Sequence, residues 1–152
     1  MLELTQLINN LKLLKIPGSQ NFTWYEALYL GRVNSIAIPS VEQMNNIIKT
    51  AAIMESIRAH YNTPIEIRSW LRPDEYNKMI GGATFSHHRS GSAVDFFVQG
   101  LTSEFVRQDL KLHPAVLYGA SVENGTVHVH IQNDGRAMFF DPPPVSKTGL
   151  GL

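Results

Sequence analysis

Apolar residues fall at helical spacing early in the chain and alternate with polar ones later. Leu4, Leu7, Ile8, Leu11 and Leu14 predict an amphipathic helix over residues 4–15, stopped by Pro17 and Gly18. Thr23 caps a short helix through Trp24, Ala27, Leu28 and Leu30, which Gly31 ends. Ser40 and Gln43 form a capping box, and Met44, Ile47, Ile48, Ala51, Met54 and Ile57 follow on one face to about His60. Past the break at 62–64 the period shifts: Ile65 and Ile67 alternate with Glu66 and Arg68, as in a half-buried strand ending near Trp70. Pro73 opens a short helix through Met79, closed by Gly81 and Gly82. Strands follow over 93–98 and 116–122 with a helix over 103–112 between them. Glu123, Asn124 and Gly125 then make a hairpin turn into a return strand over 126–132, and 138–140 adds a short edge strand. Helices first and hairpin strands later predict an α+β fold, an antiparallel sheet with helices packed mainly N-terminal to it. Residues 1–141 are expected to form one domain, and 142–152, opening on three prolines, an extended or disordered tail.

Composition narrows the possible chemistry. Of 152 residues 43% are hydrophobic and 17% charged, enough apolar surface to offset the ordering of one domain. Thirteen basic residues balance thirteen acidic ones, so no overall field holds a polyanion and nucleic acid is not the expected partner. The absence of cysteine excludes disulfides, thiolate metal sites and a cysteine nucleophile. The first seventeen residues carry an acidic Glu3 before any basic residue, which does not fit a secretory signal, and no run is long enough for a membrane span. A protein made in the cytoplasm, without a membrane partner and acting as a monomer, is the resulting expectation.

Six histidines occur, four of them in two close pairs, His87 with His88 and His128 with His130. In the return strand Val127, Val129 and Ile131 project to one face, and His128 and His130 to the other. Asp95 likewise points away from the apolar face made by Val94, Phe96 and Val98. His88 lies seven residues before Asp95, the wrong parity for one straight strand, so a turn at Ser90, Gly91 and Ser92 must fold it back over the carboxylate. Two imidazoles and a carboxylate suit zinc and leave a fourth position for water. His60 and His113 read as structural or exposed, and Arg89 as a solvated rim charge.

The stretch Ser86-His87-His88-Arg89-Ser90-Gly91-Ser92-Ala93-Val94-Asp95 resembles the S-x-H-x-x-G-x-A-x-D signature of zinc D-Ala-D-Ala carboxypeptidases and the related L-alanyl-D-glutamate endopeptidases. The likeness runs from the F-T-W-x-E stretch at Phe22, through Ile67 to Arg72 and the Gly81-Gly82 step, to Val127-His128-Val129-His130-Ile131. It implies an antiparallel sheet bearing zinc on His88, Asp95 and His130, with a peptidoglycan stem or cross-link peptide as substrate. It also implies a substrate-holding role for Ser86 and an oxyanion role for Arg72. From the residues alone, Ser86 could instead cap its loop and Arg72 pair with Asp74 or Glu75. Many family members place an acidic base three residues before the last ligand, where this chain has Val127. The base role then falls to His128, with Glu123 as the second choice. Without a signal peptide, a phage lysis enzyme acting at the bacterial wall fits the likeness; the alternative is an inactive zinc-containing binding or virion module of the same fold. Both imidazole ligands must be neutral to bind metal, so affinity is expected to fall as the pH drops through about 6.5.

Overall fold

The computed structural model describes residues 2–113, 120–123, 125–131 and 137–138. Helix α1 (Leu2–Leu13) leads to α2 (Trp24–Leu28), a hairpin of β1 (Tyr29–Leu30) and β2 (Ser35–Ile36), and the long α3 (Val41–Tyr61). Then come β3 (Ile65–Ser69), α4 (Asp74–Met79), a 3-10 turn (His87–Ser90), β4 (Ala93–Val98) and α5 (Ser103–Leu110). Strands β5 (Ala120–Glu123), β6 (Thr126–Ile131) and β7 (Ala137–Met138) complete the described part. The larger sheet is antiparallel in the order β3, β4, β6, β5, with β7 paired to the end of β6. The α+β expectation is met.

Local chemistry sets the helix ends. Thr23 with Glu26, and Ser40 with Gln43, form reciprocal capping boxes that satisfy backbone N–H groups at the starts of α2 and α3. Asn62, at φ 49, closes α3 in the left-handed conformation that asparagine tolerates. One expectation fails nearby: α2 stops at Leu28 instead of reaching Leu30. Tyr29 and Leu30 turn extended and pair with Ile36 and Ser35, because the turn through Asn34 (φ 46) makes a hairpin possible there. Helix α5 likewise ends at Leu110, two residues early. Of the strand expected over 116–122 the described part begins at Ala120, and residues 139–152, with the proline-rich tail, lie outside the described residues.

Val94, Phe96, Val98, Val127 and Val129 form one face of the sheet and are buried against Ile47, Ala51, Met54 and Ile57 of α3 and Val106 and Leu110 of α5. Each such side chain contributes about 1.5–3 kcal/mol on burial, so this layer fixes the register of β4 against β6. Trp70 and Leu71 extend the core past the end of β3, with Phe22 edge-on to the indole at 6.2 Å. The opposite face of β4 and β6 carries Ala93, Asp95, His128 and His130, all buried.

Candidate metal centre

Strand register decides which polar side chains meet. Asp95 of β4 lies directly across from His128 of β6 and, on its other side, from Ser69 of β3. A row Ser69, Asp95, His128 thus crosses three strands on one face. His130 is one row further along, opposite Ala93. Directly opposed side chains sit about 5 Å apart at Cβ, within bonding reach for imidazole and carboxylate, and diagonal neighbours about 7–8 Å apart.

His88 arrives from above on the 3-10 turn. Ser86 precedes that turn, and its hydroxyl accepts from the His88 N–H at 3.2 Å. Gly91 ends it at φ 79, the left-handed region that favours glycine. A Cβ at Gly91 would stand 2.9 Å from Ile47 Cγ1 and 3.1 Å from the Gln43 carbonyl, so the loop lies close against α3. Three side chains of α3 hold it there. Gln43 Nε2 donates to the Arg89 carbonyl at 2.9 Å, Asn46 Nδ2 to that of Ser90 at 3.0 Å, and Thr50 Oγ1 to that of Gly91 at 3.2 Å. The indole N–H of Trp70 donates to the same Gly91 carbonyl at 3.1 Å.

His88 Nδ1 lies 2.7 Å from the Trp70 carbonyl, which can only accept, so Nδ1 carries the hydrogen and Nε2 faces inward. Nε2 is 3.1 Å from Asp95 Oδ1, and His128 Nδ1 is 2.7 Å from the same oxygen. Arg72 Nη2 donates to Asp95 Oδ2 at 2.9 Å and Arg72 Nε to Ser69 Oγ at 2.8 Å. One ligand atom from each of His88, Asp95 and His128 lies within 4.8 Å of the others. Burial would raise the Asp95 carboxyl, but the bonds from His128 and His88 outweigh it and hold the group well below the usual carboxylate range.

This donor set fits a divalent cation. With its hydrogen on Nδ1, His88 presents Nε2 to the same carboxylate oxygen that His128 Nδ1 faces, so a positive charge placed there would be shared by all three groups. Two imidazoles and a carboxylate suit zinc, and the Trp70 carbonyl supplies the outer hydrogen bond that fixes a ligand histidine's tautomer. His130 stands behind the group: its Nδ1 is 3.3 Å from His128 Nε2, and the His87 ring stacks on it at 4.3 Å, nearly parallel. Burial lowers His130 to about 3, with the neighbouring His87, His128 and His88 acting in the same direction, and His87 is lowered for the same causes.

The expected ligands His88 and Asp95 come together, with His128, expected as the base, within 4.8 Å of them, and His130, expected as the third ligand, next to His128. Arg72 pairs with Asp95 and not with Asp74 or Glu75; Asp74 pairs with Arg89 at 2.7 Å. Ser86 caps the turn that bears His88. Glu123 ends β5 opposite Thr126, and its side chain lies outside the described residues. Val127 is fully buried in the apolar layer. His60 pairs with Asp109 at 2.8 Å and packs against His113, away from the centre. The Gln43, Asn46 and Thr50 clamp is not among the sequence expectations, although three polar residues at i, i+3 and i+7 inside an apolar stripe are its visible signal.

A buried His, Asp, His group on an antiparallel sheet could hold a metal ion. Residues 28–131 match the family model for peptidase M15, and the chain belongs to that family, which is of the zinc D-Ala-D-Ala carboxypeptidase type. Neither a curated protein nor a solved structure matches the chain.

Proposed function

We propose that the protein is a zinc peptidase that hydrolyses peptidoglycan stem or cross-link peptides, with His88, Asp95 and His128 as its ligands. The observation that carries this reading is the convergence of those three ligand atoms around one carboxylate oxygen, within a chain of the peptidase M15 family. A zinc ion held there would polarise the scissile carbonyl and acidify a water. The residues supply the rest. Trp70 fixes the tautomer of His88, and Arg72 holds the outer oxygen of Asp95 so that the inner one stays aimed at both imidazoles. Burial keeps His130 neutral at ordinary pH, and a group with so low a pKa is a weak proton acceptor. Action at the bacterial wall, as a monomeric lysis enzyme of phage type, accords with this substrate.

A second reading, an inactive zinc-containing module that binds wall peptide, is favoured by the missing acid. Three residues before His130 stands Val127, and three before His128 stands Gly125; neither carries a carboxylate. Elemental analysis of the purified protein, then incubation of its zinc form with a stem pentapeptide and with peptidoglycan, separates the two. Released D-alanine or new amino groups support the peptidase. Binding without release supports the module, and no stoichiometric zinc after loading sinks both.

A further inference from the structure

Strand β3 is an edge of the larger sheet, and among the described residues no strand pairs with its outer side. The Gln99 N–H donates to the Pro64 carbonyl at 3.0 Å, so Pro64 and Gln99 are a hydrogen-bonded pair, and antiparallel alternation makes Glu66 and Phe97 the next such pair. Ile65 and Ile67 then turn their N–H and C=O groups outward, and among the described residues nothing bonds to them. Two cavities lie along this edge, of about 520 Å³ and 340 Å³, sharing Glu26, Glu66 and Ile67 as walls. Phe97 closes one and Tyr29 the other. At its far end the same strand reaches Ser69, which pairs with Asp95 and accepts from Arg72, so the edge runs to within one strand spacing, about 5 Å, of the metal centre.

We propose that the open edge of β3 is the docking strand for the peptide substrate. An extended segment adds to the sheet through the outward groups of Ile65 and Ile67, with a cationic side chain beside the carboxylates of Glu26, which caps Thr23, and Glu66, where it takes the place of Arg68, now 3.4 Å away. Main-chain pairing supplies affinity, and the two carboxylates supply selection for an amino-bearing residue. This rests on the peptidase reading for the identity of the occupant, though not for the shape of the groove.

The test uses the full-length, isotopically labelled zinc protein with a lysine-containing stem pentapeptide and its Nε-acetyl form. Amide resonances of Ile65 and Ile67 should shift on addition of the lysine peptide, and their exchange with solvent should slow. Acetylation, or Glu66→Gln at this exposed side chain, should each weaken binding about fivefold, and the two together no more than either alone. Peptide turnover with Ile65 and Ile67 unmoved would overturn the docking strand and leave the peptidase standing. Movement of Ile65 and Ile67 with neither released D-alanine nor new amino groups would uphold the strand and sink the peptidase. Shifts that depend on protein concentration and need no peptide would mean that β3 pairs with a second copy, which overturns the proposal.

Discussion

One row of a sheet separates His128 from His130, and that row sets their chemistry. Both share a face of β6, but only His128 lies across from Asp95. His128→Ala should therefore abolish tight zinc binding, while His130→Ala should retain it and lower turnover; equal zinc loss in both variants, read by elemental analysis after dialysis, would contradict the assignment. Arg72 touches the carboxylate and not the imidazoles, so its removal should act through Asp95. Arg72→Met is expected to weaken zinc about 10- to 100-fold, the usual cost of losing a partner behind a ligand. Competition against a chromophoric chelator measures it.

At the scale of elements, glycine and glutamate do work that their neighbours in sequence do not show. Gly91 combines a positive φ with close contact to α3, so Gly91→Ala meets both backbone strain and a clash with Ile47 and Gln43. Its cost should be about 2 kcal/mol or more in urea unfolding, with zinc affinity reduced as His88 shifts. Glu55 of α3 accepts from Ser19 Oγ at 3.0 Å and from the N–H groups of Gln20 and Asn21 at 2.9 and 3.1 Å, tying down the loop after α1. Burial would raise this carboxyl, but those bonds and the Asn21 side chain lower it from its ordinary value of 4.5. A depressed carboxylate stabilises the fold fully above its ordinary value and loses that contribution as the pH falls through it. Glu55→Gln should thus cost about 1–2 kcal/mol near neutral pH, and the gap from the parent should narrow steadily below pH about 4.5. A constant gap in urea midpoints across that range would show that the charge is not involved.

For the molecule as a whole, periodicity made the layers legible and pairing did not follow from it. Helical stripes located α3, and alternation placed Asp95 and both histidines of β6 on the polar face. Which histidine meets the carboxylate depends on long-range register, set by packing of Val94, Phe96, Val127 and Val129, and no local pattern encodes that. The odd spacing of His88 and Asp95 demanded a turn, and the structure supplies one, yet its clamp on α3 joins residues more than forty apart. The apolar run at Tyr29 and Leu30 suits either period; the partner strand beyond Asn34 decides for the extended one.

The clamp that Gln43, Asn46, Thr50 and Trp70 place on the His88 loop is built from amide, hydroxyl and indole groups alone. Its geometry owes nothing to zinc, so the receptor for the ion is already shaped before loading. Stripping the metal with a chelator should leave the near-ultraviolet circular dichroism of the buried tryptophan almost unaltered. Zinc should then return in a single fast phase, with no slow folding step to wait for.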